Sequence, residues 1–414
     1  MNEQLLSACR GGRIQEIEVL LTNRQINPNF QNVSGETPFY IACQEGHIEI
    51  VRLLLNYKRV EINKANWDYR TPFHIACYHG HLEVVKVLLS DIRIEINCVE
   101  REFERSPFLI SCQEGHVDVV KLLLNDERIE INKADRFGAT PFSIVCFKGH
   151  NDVVKILLDD KRIEINKGTN AGETPFYLAC QSGHLEVVKL LLIDGRIGIN
   201  EPNSFGTTPF SVACGKGHTE IVNLLLSEKR VELNKEDNDG RIPFFIACEN
   251  GHIDVVQLLL NDKRVEINKA TNNGTTPFFI TCEKGNIKIL KLLVDDRRVE
   301  INEPTHYGET PLHFACYCGY TEVIQNILAG DKFVNLTRRD RNSKSAIEIA
   351  RQYRKMHLVE LLESYEEDPI KTKIKLRKIL GFSGFSIFFS FFLFLFIFSF
   401  FSFSSFFFPS FQLV

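Results

Sequence analysis

Residues 172–200 read GETPFYLACQSGHLEVVKLLLIDGRIGIN, and the pattern recurs from the N-terminus to about residue 340. Aligned on its proline, the copies fall at Pro38, Pro72, Pro107, Pro141, Pro175, Pro209, Pro243, Pro277 and Pro311. The step is 34 residues throughout, except for one of 35 between Pro72 and Pro107. A fixed period of this length marks a stacked array of one small unit, not a compact globule. The length of 414 residues would otherwise suggest two or three globular domains.

The unit is readable in physical terms. Thr174-Pro175 suits a helix start. Thr can accept from free backbone N–H groups, and Pro fits the first helical position because its missing donor is not needed there. A short helix follows, with apolar Phe176 and small Ala179 and Cys180, and Gly183 ends it. A Gly stands at this position in all nine copies, Gly46 through Gly319, as a residue that tolerates the left-handed backbone at helix ends. The next segment, HLEVVKLLL, places Leu185, Val188, Leu191 and Leu192 at helical spacing. The VEIN or IEIN run that closes each unit reads as extended or turn-like. Each unit is thus helix, turn, helix and projecting loop, and only stacking can bury its apolar face.

TPF–AC–GH–VVKLLL–IN is similar to the ankyrin repeat, whose usual form is closer to TPLHLA, GH and VVKLLL. The resemblance covers roughly residues 5–366 and implies an all-α ankyrin-repeat solenoid, followed here by a C-terminal hydrophobic segment. Departures are local. Tyr69 and Glu104 replace the loop Gly, an extra residue sits near Cys98, and Ile242 replaces Thr before Pro243. The His of GH becomes Asn286 and Tyr320 late in the array. Residues 4–33 read as an N-terminal capping repeat, 34–341 as nine full repeats and 342–366 as a C-terminal capping repeat. In the first cap the helices turn polar at Arg10, Arg13, Gln15 and Glu16, as a face meeting water should. In the last, Ser345-Ala346 replaces Thr-Pro and Arg351 takes the Cys position.

Residues 367–383 read as a basic linker, where Glu366 to Asp368 give way to Lys371, Lys373, Lys375, Arg377 and Lys378. Residues 384–408 carry no charge, and the last 34 residues hold 16 of the 33 Phe. Such a run exceeds the roughly 20 residues a spanning helix needs. The basic side should stay cytosolic, giving a single-pass, tail-anchored membrane protein with the array facing the cytosol. A second reading stays open. Phe, Ser, Leu and Pro share pyrimidine-only codons, so an in-frame pyrimidine tract would give nearly this tail. The chain would then be a soluble cytoplasmic adaptor or inhibitor with a gene-model artefact at its end.

Net charge is −4 with 25% charged residues, which argues against nucleic-acid binding by bulk charge. Ten of the twelve cysteines form a ladder at the repeat period, from Cys9 to Cys316. Packed helices lie about 8–10 Å apart and a disulfide needs Cα atoms within roughly 7 Å, so these read as small buried thiols. No signal peptide is visible in MNEQLLSACRGG, which agrees with a reducing compartment. GxxxxGK, HRD, DFG, GxSxG and HExxH are missing, so no enzyme or small-molecule substrate is expected. Two clusters resemble metal ligands: His74, Cys77, His79 and His81, and His313, Cys316 and Cys318. All occupy ordinary repeat positions, and no metal or cofactor is expected. The GH histidines, His47 to His252, start second helices and read as structural, while the residue after each repeat Pro, Phe39 to Phe278 and then Leu312, reads as core.

In the ankyrin family, partners usually dock on the concave side, made by loop tips and first-helix ends. The resemblance carries this to the two residues before the loop Gly position, the one after it, and the pair past the Cys. Most repeats are small or polar there, as at Asn170, Ala171, Gln181 and Ser182. Repeats two to four instead carry Trp67, Arg70, Tyr78, His79, Phe103, Arg105, Arg136, Phe137, Phe147 and Lys148. Clustered aromatic and Arg side chains are the types that dominate binding hot spots. The expected partner is therefore a protein, docked on repeats two to four, with packing between neighbouring loops as the alternative role of these aromatics. His306, Tyr307 and Tyr317 form a lesser group.

Overall fold

The computed structural model describes residues 1–381, and the candidate membrane segment 384–408 lies outside them. Twenty-three helices and no strands occur among the described residues. No helix there is long and apolar enough to cross a membrane. The chain divides into two compact units, Met1–Pro243 and Phe244–Val414.

In the first unit, the helix pair Asn2–Arg10 and Ile14–Thr22 precedes six repeats. Pro175–Ser182 and Leu185–Ile193 form the pair in the stretch that opened the sequence reading. First helices pack on first helices of the neighbouring repeat and second helices on second. The local chemistry is as the sequence implies. Thr174 is the N-cap, its hydroxyl accepts from the Tyr177 N–H at 3.2 Å, and Pro175 holds the first helical position. Gly183 closes the helix in the left-handed region at φ 80°. Phe39, Phe73, Phe108, Phe142, Phe176 and Phe210 are each at most 1% exposed, forming one column of core. Burial of such a side chain is worth roughly 1.5–3 kcal/mol. Arg10, Arg13, Gln15 and Glu16 of the first pair are all exposed.

The second unit opens within the helix Pro243–Asn250 and continues through Ile253–Asn261, Pro277–Lys284, Ile287–Asp295, Pro311–Cys318 and Thr321–Ala329. Ala346–Gln352 and Met356–Glu367 follow, with Ser345 and Glu348 forming a reciprocal capping box. Arg351 is exposed, whereas all ten ladder cysteines, including Cys316, are buried free thiols.

Two corrections to the sequence reading follow. The stretch read as a basic linker contains a helix, Pro369–Leu380, packed on Thr321–Ala329 and Met356–Glu367. Its buried side is only Thr372, Leu376 and Arg377, a stripe too narrow to stand out among five cationic residues. The extra residue lies within the loop 100–105 rather than near Cys98. Elsewhere the loop closes over four residues, as with Asn66 N–H on the Arg70 carbonyl at 3.0 Å. Here Glu100 N–H reaches the Arg105 carbonyl at 3.2 Å, one residue further.

Between neighbouring repeats, polar groups hold the main chain at three recurring places. The GH His sends Nε2 to the carbonyl of the residue after the preceding ladder Cys, as with His81 on Gln44 at 2.7 Å and His218 on Gln181 at 2.9 Å. The Asn of the IN pair in the full repeats holds the next repeat by both ends of its amide. Asn132 Nδ2 donates to the Arg162 carbonyl at 2.7 Å and Oδ1 accepts from Glu164 N–H at 3.0 Å. The third is an Asp-x-Arg clamp. Arg162 is gripped by Asp160, 2.6 Å away, and donates Nη2 to the Leu124 carbonyl at 2.8 Å, at the end of the preceding second helix. A cation there satisfies an otherwise free carbonyl at the negative end of a helix.

Candidate partner-binding face

Most loop tips are organised by an Asn or Asp that accepts from two backbone N–H groups beyond it, with Thr169, Thr271 and Thr305 in that place elsewhere. Asn66 Oδ1 accepts from Asp68 at 3.1 Å and Arg70 at 2.9 Å, and Asp135 accepts from Phe137 and Ala139, both at 2.9 Å. The longer third loop uses Glu100, whose extra methylene suits the wider turn. Its carboxylate accepts from Glu102 N–H at 3.1 Å, Phe103 N–H at 3.0 Å and Arg105 Nε at 3.0 Å. Burial alone would raise the Glu100 pKa, but Arg105 and those N–H groups prevail and hold it below the usual carboxylate value. Tyr69 and Glu104 keep the left-handed backbone of the glycines they replace, both at φ 59°.

The candidate residues separate into two groups. Trp67, Phe103, Arg136 and Phe137 stand on loop tips. Trp67 Nε1 donates to the Val33 carbonyl at 3.1 Å while the residue stays 56% exposed. Arg136 Nη1 donates to the Glu102 carbonyl at 2.7 Å. Asn170 makes the same bond to Arg136 at 3.1 Å, so Trp67 and Arg136 fill a position that also ties each loop to the one before. The rings of Phe103 and Phe137 lie 6.1 Å apart, and Arg136 sits 5.7 Å from the Phe137 ring. These contacts are the loop-to-loop packing that the alternative reading describes, yet Phe137 stays 55% exposed.

Tyr78, His79, Phe147 and Lys148 stand at first-helix ends. Tyr78 packs edge-on to His79 at 5.0 Å, His79 stacks on His81 at 5.7 Å, and Lys148 lies 5.9 Å from the Phe147 ring. Tyr78 and Phe147 are 40% and 42% exposed. Burial and then the neighbouring His81 push the His79 pKa down. In register, Gln113 and Glu114 of repeat three fall between the pairs Tyr78–His79 and Phe147–Lys148. Arg105 joins the groups: it lies 4.4 Å over the Phe103 ring, and Nη1 donates to Gln113 Oε1 at 3.0 Å. Arg70 is half-buried at the inner end of its loop.

Sequence reasoning missed Tyr69, exposed with Arg101 5.7 Å from its ring, and Phe205, which is 68% exposed. Both stand in loop tips, and an aromatic in that register was the available signal. Of the lesser group, Tyr307 lies under Arg341 at 4.7 Å, and Tyr317 packs edge-on to Tyr353 at 4.6 Å. His74 and His313 are both buried, with Nδ1 in a capping box to Thr71 and Thr310. No group of three His, Cys, Asp or Glu placed to hold a metal occurs among the described residues.

Comparison with curated proteins returned no match. The family model for ankyrin repeats (three copies) matches residues 5–100, 92–168, 108–201, 196–271 and 263–340. Together with the stacked helix pairs, these matches place the chain in the ankyrin-repeat family, whose units serve as protein-interaction modules.

Proposed function

We propose that this protein is a non-catalytic scaffold that docks a protein partner on repeats two to four, across the loop tips and first-helix ends between Trp67 and Lys148. The carrying observation is that Trp67, Tyr78, Phe137 and Phe147 each keep 40% or more of their surface exposed although each has a packing partner nearby. Rigid, partly supported aromatics flanked by Arg are suited to anchor a partner. The contacts to neighbouring loops serve as the support. Substituting Ala for Tyr78, Phe137 and Phe147 together should abolish partner capture with the helical content intact. Unchanged partners would sink the reading, and a lost fold with lost binding would mark these residues as packing.

The uncharged run 384–408 beside five cationic residues further supports a tail anchor that holds the scaffold at a membrane, array to the cytosol. The alternative is a cytoplasmic adaptor. Alkaline washing of membranes from cells expressing full-length protein or residues 1–381 decides. Retention of the full-length form alone supports the anchor, and release of both supports the adaptor.

A further inference from the structure

We propose that Arg70, half-buried in a loop that supplies it no anion, is the anchor for a carboxylate on the docked partner, so that repeats two to four take an acidic protein segment; this rests on the docking reading above. Three loops carry Arg at the position after the left-handed residue: Arg70, Arg105 and Arg241. In two of them the anion that organises the loop also holds the guanidinium. Arg105 Nε is 3.0 Å from Glu100, and Arg241 Nε is 2.8 Å from Asp237. In repeat two that residue is Asn66. Its only acceptor, Oδ1, is already occupied by the N–H groups of Asp68 and Arg70. Its other atom, Nδ2, is a donor directed to the Tyr40 hydroxyl at 3.5 Å. A donor cannot receive another donor.

The Nε of Arg70 is therefore buried without a partner, one of three such side-chain atoms among the described residues. The carboxylate at the same position of the preceding repeat, Glu36, is engaged elsewhere, by Asn32 Nδ2 at 2.7 Å and Arg10 at 3.7 Å. An unmet charged donor in a native structure calls for an explanation, and a guanidinium matches a carboxylate by two parallel bonds. In register, Tyr78 takes the place of Gln113, the residue that receives Arg105, so an exposed ring is available where the third loop has a polar partner.

The probe is a pair of end-blocked random peptide pools, one with Glu and one with Gln at a single fixed position, passed over immobilised full-length protein. The Glu pool should be retained about tenfold better, as expected for a charge-assisted bond. Arg70→Gln should make the pools equal. Asn66→Asp supplies the internal carboxylate that the other two loops have, so it should raise the melting temperature while lowering Glu-pool retention. A merely destabilising change would lower both. Equal retention of the pools by the wild type, retention of neither, or Glu-pool retention untouched by Asn66→Asp would overturn the inference. If the wild type retains both pools equally and Tyr78→Ala lowers both, this inference falls while docking on repeats two to four stands.

Discussion

The imidazole of His218 lies where a side chain on Gly183 would have to go. A Cβ built on Gly183 would be 2.6 Å from His218 Cε1, and the ring is fixed there by its bond to the Gln181 carbonyl at 2.9 Å. Gly183 is thus required twice, by φ 80° and by the ring of the next repeat. Gly285 has the positive φ, 67°, but nothing within 4 Å of its would-be Cβ, because Tyr320 replaces the next His.

Ala at these two glycines should therefore differ. Gly285→Ala carries only the left-handed backbone penalty, about 1 kcal/mol. Gly183→Ala adds overpacking against His218, for a total of about 3 kcal/mol. Urea titration of the two variants checks this, and equal losses would show that the ring yields without cost.

The clamp and the Asn ladder make a second prediction. Arg162→Ala removes the bond to the Leu124 carbonyl and should cost about 1 kcal/mol, since the side chain is half exposed. Asn132→Asp should cost more than Asn132→Ser. It keeps the acceptor for Glu164 N–H but turns a carboxylate oxygen toward the Arg162 carbonyl. Thermal melts at matched salt would check the order, and a milder Asp variant would refute the donor role of Nδ2.

These two devices also mark where the sequence stopped being legible. Helix pairs, Thr-Pro starts and Gly ends were readable because each is a local preference repeated at one period. The Phe column was readable as apolar residues in register. The Asp-x-Arg and Asn contacts were not, although their residues repeat as faithfully. Their partners are main-chain carbonyls and N–H groups 30 to 39 positions away, in stretches with no apolar periodicity. At the candidate face, the sequence located the aromatic cluster but not the support that Trp67 and Arg136 give to the preceding loops. An unpaired Arg70 was legible only once Asn66 was seen to have its one acceptor occupied.

A pH dependence follows from His74. Burial lowers its pKa to about 4, with opposing pulls from the Arg105 and Cys98 carbonyls and Glu100, and a small further lowering from Arg70. Its Nδ1 accepts the Thr71 N–H at 3.2 Å, so protonation there would break the capping box. The folded state binds this proton less readily than the unfolded one. Stability is complete above about pH 6.5 and falls as pH drops toward 4, by roughly 3 kcal/mol at most. His74→Tyr copies Tyr177 of another repeat and should flatten melting temperature between pH 7 and 5 relative to wild type. Parallel pH slopes would exclude His74 as the source.

The helix Pro369–Leu380 completes the array in a way that yields the last prediction. In most repeats a basic side chain from the next unit meets the carbonyls that end the second helix, the last being Lys332 on Leu293 at 3.0 Å. After Thr321–Ala329 comes the pair Ala346–Gln352 and Met356–Glu367, which no Asp-x-Arg clamp follows. Arg377, from a helix of different connectivity, takes the place: Nε donates to the Ala329 carbonyl at 2.9 Å and Nη2 lies 3.0 Å from Asp331. Leu376, 2% exposed, and the Thr372 hydroxyl on the Ser364 carbonyl at 2.8 Å hold the helix down. Arg377→Leu leaves the Ala329 carbonyl unmet, and Leu376→Ala opens a cavity worth about 2–4 kcal/mol. Repeat arrays transmit such losses chiefly to neighbours. Amide hydrogen exchange should therefore accelerate in 321–329 and 356–380 in both variants, with Phe142–Leu191 unchanged. Exchange that stays slow in 321–329 would mean that the terminal helix covers that end without stabilising it.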